Sequence, residues 1–239
     1  MLMTNELFIL IAAAASIAFF HTLMGPDHYL PFIVMSRSGN WSLRKTIWIT
    51  ILCGSGHVLS SVLLGLAGIV FGIAVSEITL FETVRGSLAT WVLIAFGLVY
   101  FAWGMTNALR NRSHTHKHAH AGQIHHNHSH DHHEDHVHAH SYDKKKSMTP
   151  WVLFTIFVLG PCEPLIPMLM YPAAKNSMYA AFVVAGIFGV VTIVTMLGVV
   201  LISSFGLNIL PSPRTEKYTH AIAGAIVSLS GASMLLFGL

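Results

Sequence analysis

Residues 25–32 read Gly25-Pro26-Asp27-His28-Tyr29-Leu30-Pro31-Phe32, and residues 160–168 read Gly160-Pro161-Cys162-Glu163-Pro164-Leu165-Ile166-Pro167-Met168, 135 positions later. Each stretch sits inside a long apolar run. Each sets a Gly-Pro pair, which bends or unwinds a helix, beside a carboxylate. The likeness continues outward. Gly56 and Gly65 of the next run match Gly189 and Gly198 at an offset of 133, and Gly97 and Gly104 match Gly231 and Gly238 at 134. Small residues are common where membrane helices pack, so one glycine match says little. Three matches in the same order at nearly one offset make the chain two three-helix repeats. An odd helix count inverts the second copy relative to the first. That architecture places its site at the repeat interface, near the bilayer midplane.

The chain has 239 residues, of which 54% are hydrophobic and 10% charged. A soluble domain carries about a quarter charged residues. The apolar runs Leu7–Met35, Thr46–Val75, Ser87–Leu109, Trp151–Ala174, Met178–Phe205 and Tyr218–Leu239 all exceed the ~20 residues that cross a bilayer. The sequence predicts an all-α, polytopic membrane protein of about six transmembrane helices. The first run lacks a basic leader and continues past a histidine and an aspartate, so it is read as a retained helix. The two cysteines, Cys53 and Cys162, both lie in apolar runs, which excludes a disulfide framework. No ATP-binding or soluble-enzyme motif occurs, and the chain is not expected to be an enzyme.

Three units follow: residues 1–110 as the first repeat, 111–149 as a polar connection and 150–239 as the second repeat. Thirteen of the seventeen histidines fall between His114 and His140. This tract has too few apolar residues to build a core and is expected to be disordered without metal. Its imidazoles suit capture, buffering or sensing of transition metals. The basic residues Arg37, Arg44, Lys45, Arg110, Arg112, Lys117, Lys144, Lys145, Lys146, Arg214 and Lys217 all fall in alternate connections, leaving Arg85 and Lys175 for the other side. The positive-inside rule then puts the tract in the cytoplasm and both termini outside, in the cell membrane.

Of the ten acidic residues, only Asp27 and Glu163 are read as lying deep in apolar runs. A carboxylate at that depth costs several kcal/mol unless paired, hydrated or neutralised. Counting from the nearest run ends, His57 shares their depth. His21 and His28 would stand ~10 Å apart on a straight helix, too far to share one ion, but Gly25-Pro26 lies between them. Pro161, Pro164 and Pro167 predict a matching break in the fourth run. The metal-site candidates are His21, Asp27, His28, His57, Cys162 and Glu163. Imidazole with carboxylate suits borderline divalent ions. Met24, Met168, Thr192 and Thr195 are lesser candidates, and His220 is read as interfacial.

His21-Thr22-Leu23-Met24-Gly25-Pro26-Asp27-His28, with Gly56-His57 on the next helix, resembles the helix signatures of the nickel/cobalt transporter family, especially its UreH-like branch. The resemblance implies His21, Asp27, His28 and His57 as metal-path residues. The mid-chain histidine tract is similar to that of its bacterial efflux members. Gly160-Pro161-Cys162-Glu163-Pro164 instead looks like the Pro-Cys-x-x-Pro helices of the CcdA/DsbD thiol–disulfide transporters, in which each repeat supplies one cysteine. Here the repeat counterpart of Cys162 is Asp27.

The function expected from these residues is a secondary carrier of divalent transition metals. Nickel or cobalt comes first, then zinc, iron or manganese, with the metal as substrate and efflux as the direction. The alternative is a CcdA-type membrane thiol–disulfide and electron transporter using Cys162. The metal ion and the lipid bilayer are the expected partners, with a homo-oligomer or a metallochaperone as protein partner and no nucleic acid.

Overall fold

The computed structural model describes residues 4–110, 114–119, 125–130, 149–175, 177–206 and 216–237. Helix α1 (Thr4–Met24) ends in a 3-10 turn (Pro26–His28) and resumes as α2 (Leu30–Ser38). Helices α3 (Leu43–Phe71) and α4 (Val75–Arg110) complete the first half. In the second half, α5 (Thr149–Leu159) and α6 (Leu165–Ala174) precede α7 (Met178–Gly206) and α8 (Thr219–Phe237). Ser42 starts α3 by accepting a hydrogen bond from Lys45 N at 3.3 Å, and Gly72 ends it at φ 65°, a left-handed conformation that glycine adopts without steric cost. Five of these helices are long and apolar enough to cross a membrane, and α5 with α6 forms a sixth crossing in two pieces.

The molecule is turned inside out relative to a soluble domain. Phe8, Val70, Phe71, Ile202 and Leu236 are exposed, while Thr50, His57, Ser61, Glu82 and Thr192 are buried. An apolar exterior of this extent is stable only in lipid, so the chain is a multi-pass protein of the bilayer.

The halves are related helix by helix. α3 and α7 are both 29 residues long and stand 135 positions apart. α1 packs on α7 as α5 packs on α3, and α2 meets α8 as α6 meets α4. α4 and α8 lie against each other. There a β-carbon on Gly97 would strike Ser228, and one on Gly231 would strike Ile94. Ile94 and Ser228 are 134 positions apart, as are Gly97 and Gly231, so the two contacts exchange under a pseudo-twofold axis, as in an isologous interface. The small residues let the helix backbones approach closely.

Both expected breaks are present. The one in the fourth crossing covers residues 160–164, and Pro167 does not extend it. Pro167 lies in the first turn of α6, where no intrahelical amide bond is required. The nine residues of α2 and the eleven of α5 span about 14 and 16 Å, roughly half of a ~30 Å hydrocarbon core. Counted from the far ends of α2 and α5, the two breaks therefore lie at matching depth.

One boundary differs from the sequence reading. The third helix begins at Val75, twelve positions before Ser87. Glu77, Glu82 and Arg85 are thus helical, and Glu82 is fully buried. In the histidine tract, the described backbone is an antiparallel pair, His114–Ala119 with His125–His130, where no regular structure was expected. The rest of the tract lies outside the described residues.

Candidate functional site

The break after α1 is self-contained. His28 N donates to Gly25 O at 3.0 Å, and the Tyr29 hydroxyl donates to Leu23 O at 3.2 Å. These bonds satisfy backbone groups that lipid would leave unpaired. The turn interrupts the straight helix between them, and the His21 and His28 rings come to a centroid distance of 5.0 Å. His57, on α3, brings its ring to 5.1 Å from His28. The Asp27 carboxylate accepts from His28 Nδ1 at 3.1 Å. When the ring is neutral, that bond leaves its lone pair on Nε2. Gly25 permits the arrangement, because a β-carbon there would lie 2.6 Å from His28 Nδ1.

The break between α5 and α6 is braced from outside. Arg85 Nη2 donates to Gly160 O at 3.2 Å and to Ser61 Oγ at 2.6 Å. Glu82 Oε2 accepts from Cys162 N at 3.3 Å and pairs with Arg85 at 2.7 Å. Two backbone groups left open by the break, Gly160 O facing Pro164 and Cys162 N beyond the end of α5, are thereby satisfied by an ion pair on α4, which also ties in α3. Gly86, one turn on, sits against the Pro161 ring. Glu82 and Arg85 were missed in the sequence because they were assigned to a connection. The available signal was the Glu-x-x-Arg spacing, which places opposite charges on one helical face.

Ligand atoms of His21, His57 and Cys162 lie within 4.8 Å of one another. The Nε2 atoms of His21, His28 and His57 are all buried without a hydrogen-bond partner. Beside them is a cavity of about 20 Å³ lined by Asp27, His28, His57, Thr90, Gly160 and Pro161, the size of one water or ion. Of the sequence candidates, His21, Asp27, His28, His57 and Cys162 therefore share one locus. Glu163 does not join them. It is exposed, and it accepts from the Thr83 hydroxyl at 3.0 Å. His220 lies elsewhere, bonded to the Tyr100 hydroxyl at 2.8 Å. Thr192 is buried with an unpartnered hydroxyl. Both cysteines are free. They belong to different apolar clusters, Cys162 with Ala14, Val58 and Phe188, and Cys53 with Phe32, Leu153 and Met196.

Comparison with known families decides between the two resemblances. Residues 31–239 match the family model described as cytochrome C biogenesis protein transmembrane region. No curated protein and no solved structure matches the chain. The match corrects the nickel/cobalt transporter assignment and, with it, the expectation of a divalent-metal carrier. The misleading signal was the cluster of histidines around Asp27. Those residue types favour metal ligation, and ligation alone does not establish passage across the bilayer.

Proposed function

Because the chain belongs to the cytochrome c biogenesis protein transmembrane-region family, we propose that it carries thiol–disulfide reducing equivalents in the membrane, with Cys162 as the exchanging thiol. The observation that carries this reading is the position of Cys162, in a helix break at mid-depth whose backbone is held by Glu82 and Arg85. Glu163 is the adjacent residue and is exposed. A carboxylate at this depth requires water or a partner beside it; in this reading water reaches it as well as the Thr83 hydroxyl, and the same side gives a thiol partner its approach. The break is also where the chain can bend without losing continuous helical hydrogen bonds, which suits alternating access at a repeat interface.

The chemistry needs one sulfur from this chain and the rest from its partners. The Cys162 thiolate attacks an acceptor disulfide, forming a mixed disulfide and expelling one acceptor thiolate. A donor thiolate then attacks the Cys162 sulfur and releases the second acceptor thiolate. A second donor thiol displaces Cys162 and closes the donor disulfide. One acceptor disulfide is reduced and two donor thiols are oxidised, by ordinary thiol–disulfide exchange. In this reading the basic connections and the histidine tract face the cytoplasm and both termini face outside, by the positive-inside rule.

The test uses liposomes with a disulfide reporter inside and a thiol donor outside. Reporter reduction should fall to the protein-free rate in Cys162→Ser and stay unchanged in Cys53→Ser. An undiminished rate in folded Cys162→Ser would end this reading.

A further inference from the structure

We infer that His21, His57 and Cys162, with His28 beside them, form a resident binding site for a zinc-type divalent cation. Four observations converge. The ligand atoms of His21, His57 and Cys162 already lie within 4.8 Å of one another. Three imidazole Nε2 atoms at this locus are buried and unpartnered. Buried polar atoms are nearly always hydrogen-bonded, and three adjacent exceptions of one chemical type point to a ligand that accepts lone pairs. One water donates to at most two of them, whereas a cation takes three or four ligand atoms at once.

The ring spacing is the third observation. With an imidazole nitrogen about 2.05 Å from zinc, each ring centre lies about 3.2 Å from the ion, and two rings at a tetrahedral angle stand about 5.2 Å apart. His28, whose ligand atoms lie outside the 4.8 Å group, stands at this spacing from both histidines of the group, 5.0 Å from His21 and 5.1 Å from His57 by ring centroids. The fourth is the carboxylate. Asp27 accepts from His28 Nδ1, the carboxylate–histidine arrangement that orients a metal-ligating imidazole from behind.

Charge selects the class of ion. A divalent cation, the Cys162 thiolate and the Asp27 carboxylate sum to zero, which suits a site far from bulk water. Thiolate with imidazole excludes magnesium and calcium, which take oxygen ligands. Binding releases the thiol proton. The ion is held in place and is not cargo. The site stands on its own side chains and does not depend on the thiol-transfer reading; both use the Cys162 sulfur, so an ion bound there withdraws the thiol from exchange.

Cobalt(II) serves as the spectroscopic probe, because cobalt bound to thiolate shows a sulfur-to-metal charge-transfer band. The full chain in detergent, reduced and free of metal, is titrated with cobalt(II) and then chased with zinc. The histidine tract also binds cobalt, but it contains no cysteine and contributes nothing to this band. The expected result is one thiolate-bound cobalt per chain, with the band erased by zinc. It should be intact in Cys53→Ser and lost in Cys162→Ser and His57→Ala. Cys53→Ser leaves Cys162 as the sole thiol, so the answer does not hinge on whether the site variants fold. No band in that protein, a band that survives Cys162→Ser, or a band that disappears with Cys53→Ser would overturn the site. Failure here leaves the liposome assay unaffected, so the two readings fall separately.

Discussion

The two helix breaks occupy equivalent places in the two repeats and are stabilised in opposite ways. The first, at Gly25–Tyr29, closes on itself. Its backbone groups bond within the turn, and Asp27 pairs with its own neighbour His28. The second, at Gly160–Pro164, draws its support from α4 and α3, through Glu82, Arg85 and Ser61. A break that satisfies itself can present its side chains as a fixed arrangement. A break held by distant charges responds to any movement of the helix that carries them. The repeat thus keeps one rigid element, rich in imidazole, against one that can be released, which bears the thiol.

The sharpest way to break this comparison is to remove the brace. In Arg85→Met, the Glu82 carboxylate is left fully buried with no counter-charge. Removing one partner of such a pair costs about 3–5 kcal/mol. Thermal unfolding in detergent should show this loss, and the double variant Glu82→Gln with Arg85→Met should recover much of it. If Arg85→Met unfolds like the parent, the second break does not depend on α4 and the contrast is void.

The brace was also the part hardest to read in the sequence. Composition, six apolar runs and two Gly-Pro positions were enough for the architecture, because each is a local signal with a physical cause. His21, Asp27, His28 and His57 were legible as a cluster because a break between His21 and His28 removes the straight-helix distance. Cys162 was legible through its repeat position. Glu82 and Arg85 were not, since a charge pair in a run that starts late looks the same as a polar loop until a partner helix is placed beside it. Glu163 misled for the reverse reason. Sequence depth gives distance from the membrane surface, not which way a side chain faces, and Glu163 faces outward.

A milder test compares the two glycines that open the breaks. A β-carbon on Gly25 would sit 2.6 Å from His28 Nδ1 and 2.9 Å from Asp27 Oδ1. One on Gly160 would sit 3.2 Å from His57 Nδ1 and from Phe157 O. Overpacking of this kind costs about 1–3 kcal/mol. Gly25→Ala should fall toward the upper end because both obstacles belong to the rigid turn. Gly160→Ala should fall toward the lower end, since a few tenths of an ångström of adjustment suffice. Gly186→Ala, where nothing stands within 4 Å, is the neutral control. Unfolding midpoints in the order Gly160→Ala below Gly25→Ala would reverse the assignment of the rigid and yielding breaks.

The smallest effect is expected at the exposed side of the second break. Thr83 has one hydroxyl proton and two acceptors, Glu163 Oε1 and its own helix's Thr79 O, each at 3.0 Å. The bond to Glu163 is therefore shared, and both residues are exposed. An exposed hydrogen bond contributes about 0.5–1 kcal/mol at most, and sharing lowers that. Thr83→Val should leave the unfolding midpoint nearly unchanged and alter reporter reduction by less than about threefold, the equivalent of roughly 0.6 kcal/mol. A larger loss of rate with unchanged stability would mean that Glu163 must be held against α4 for a partner to reach Cys162. The exposed side of the break would then be a positioning surface as well as an approach.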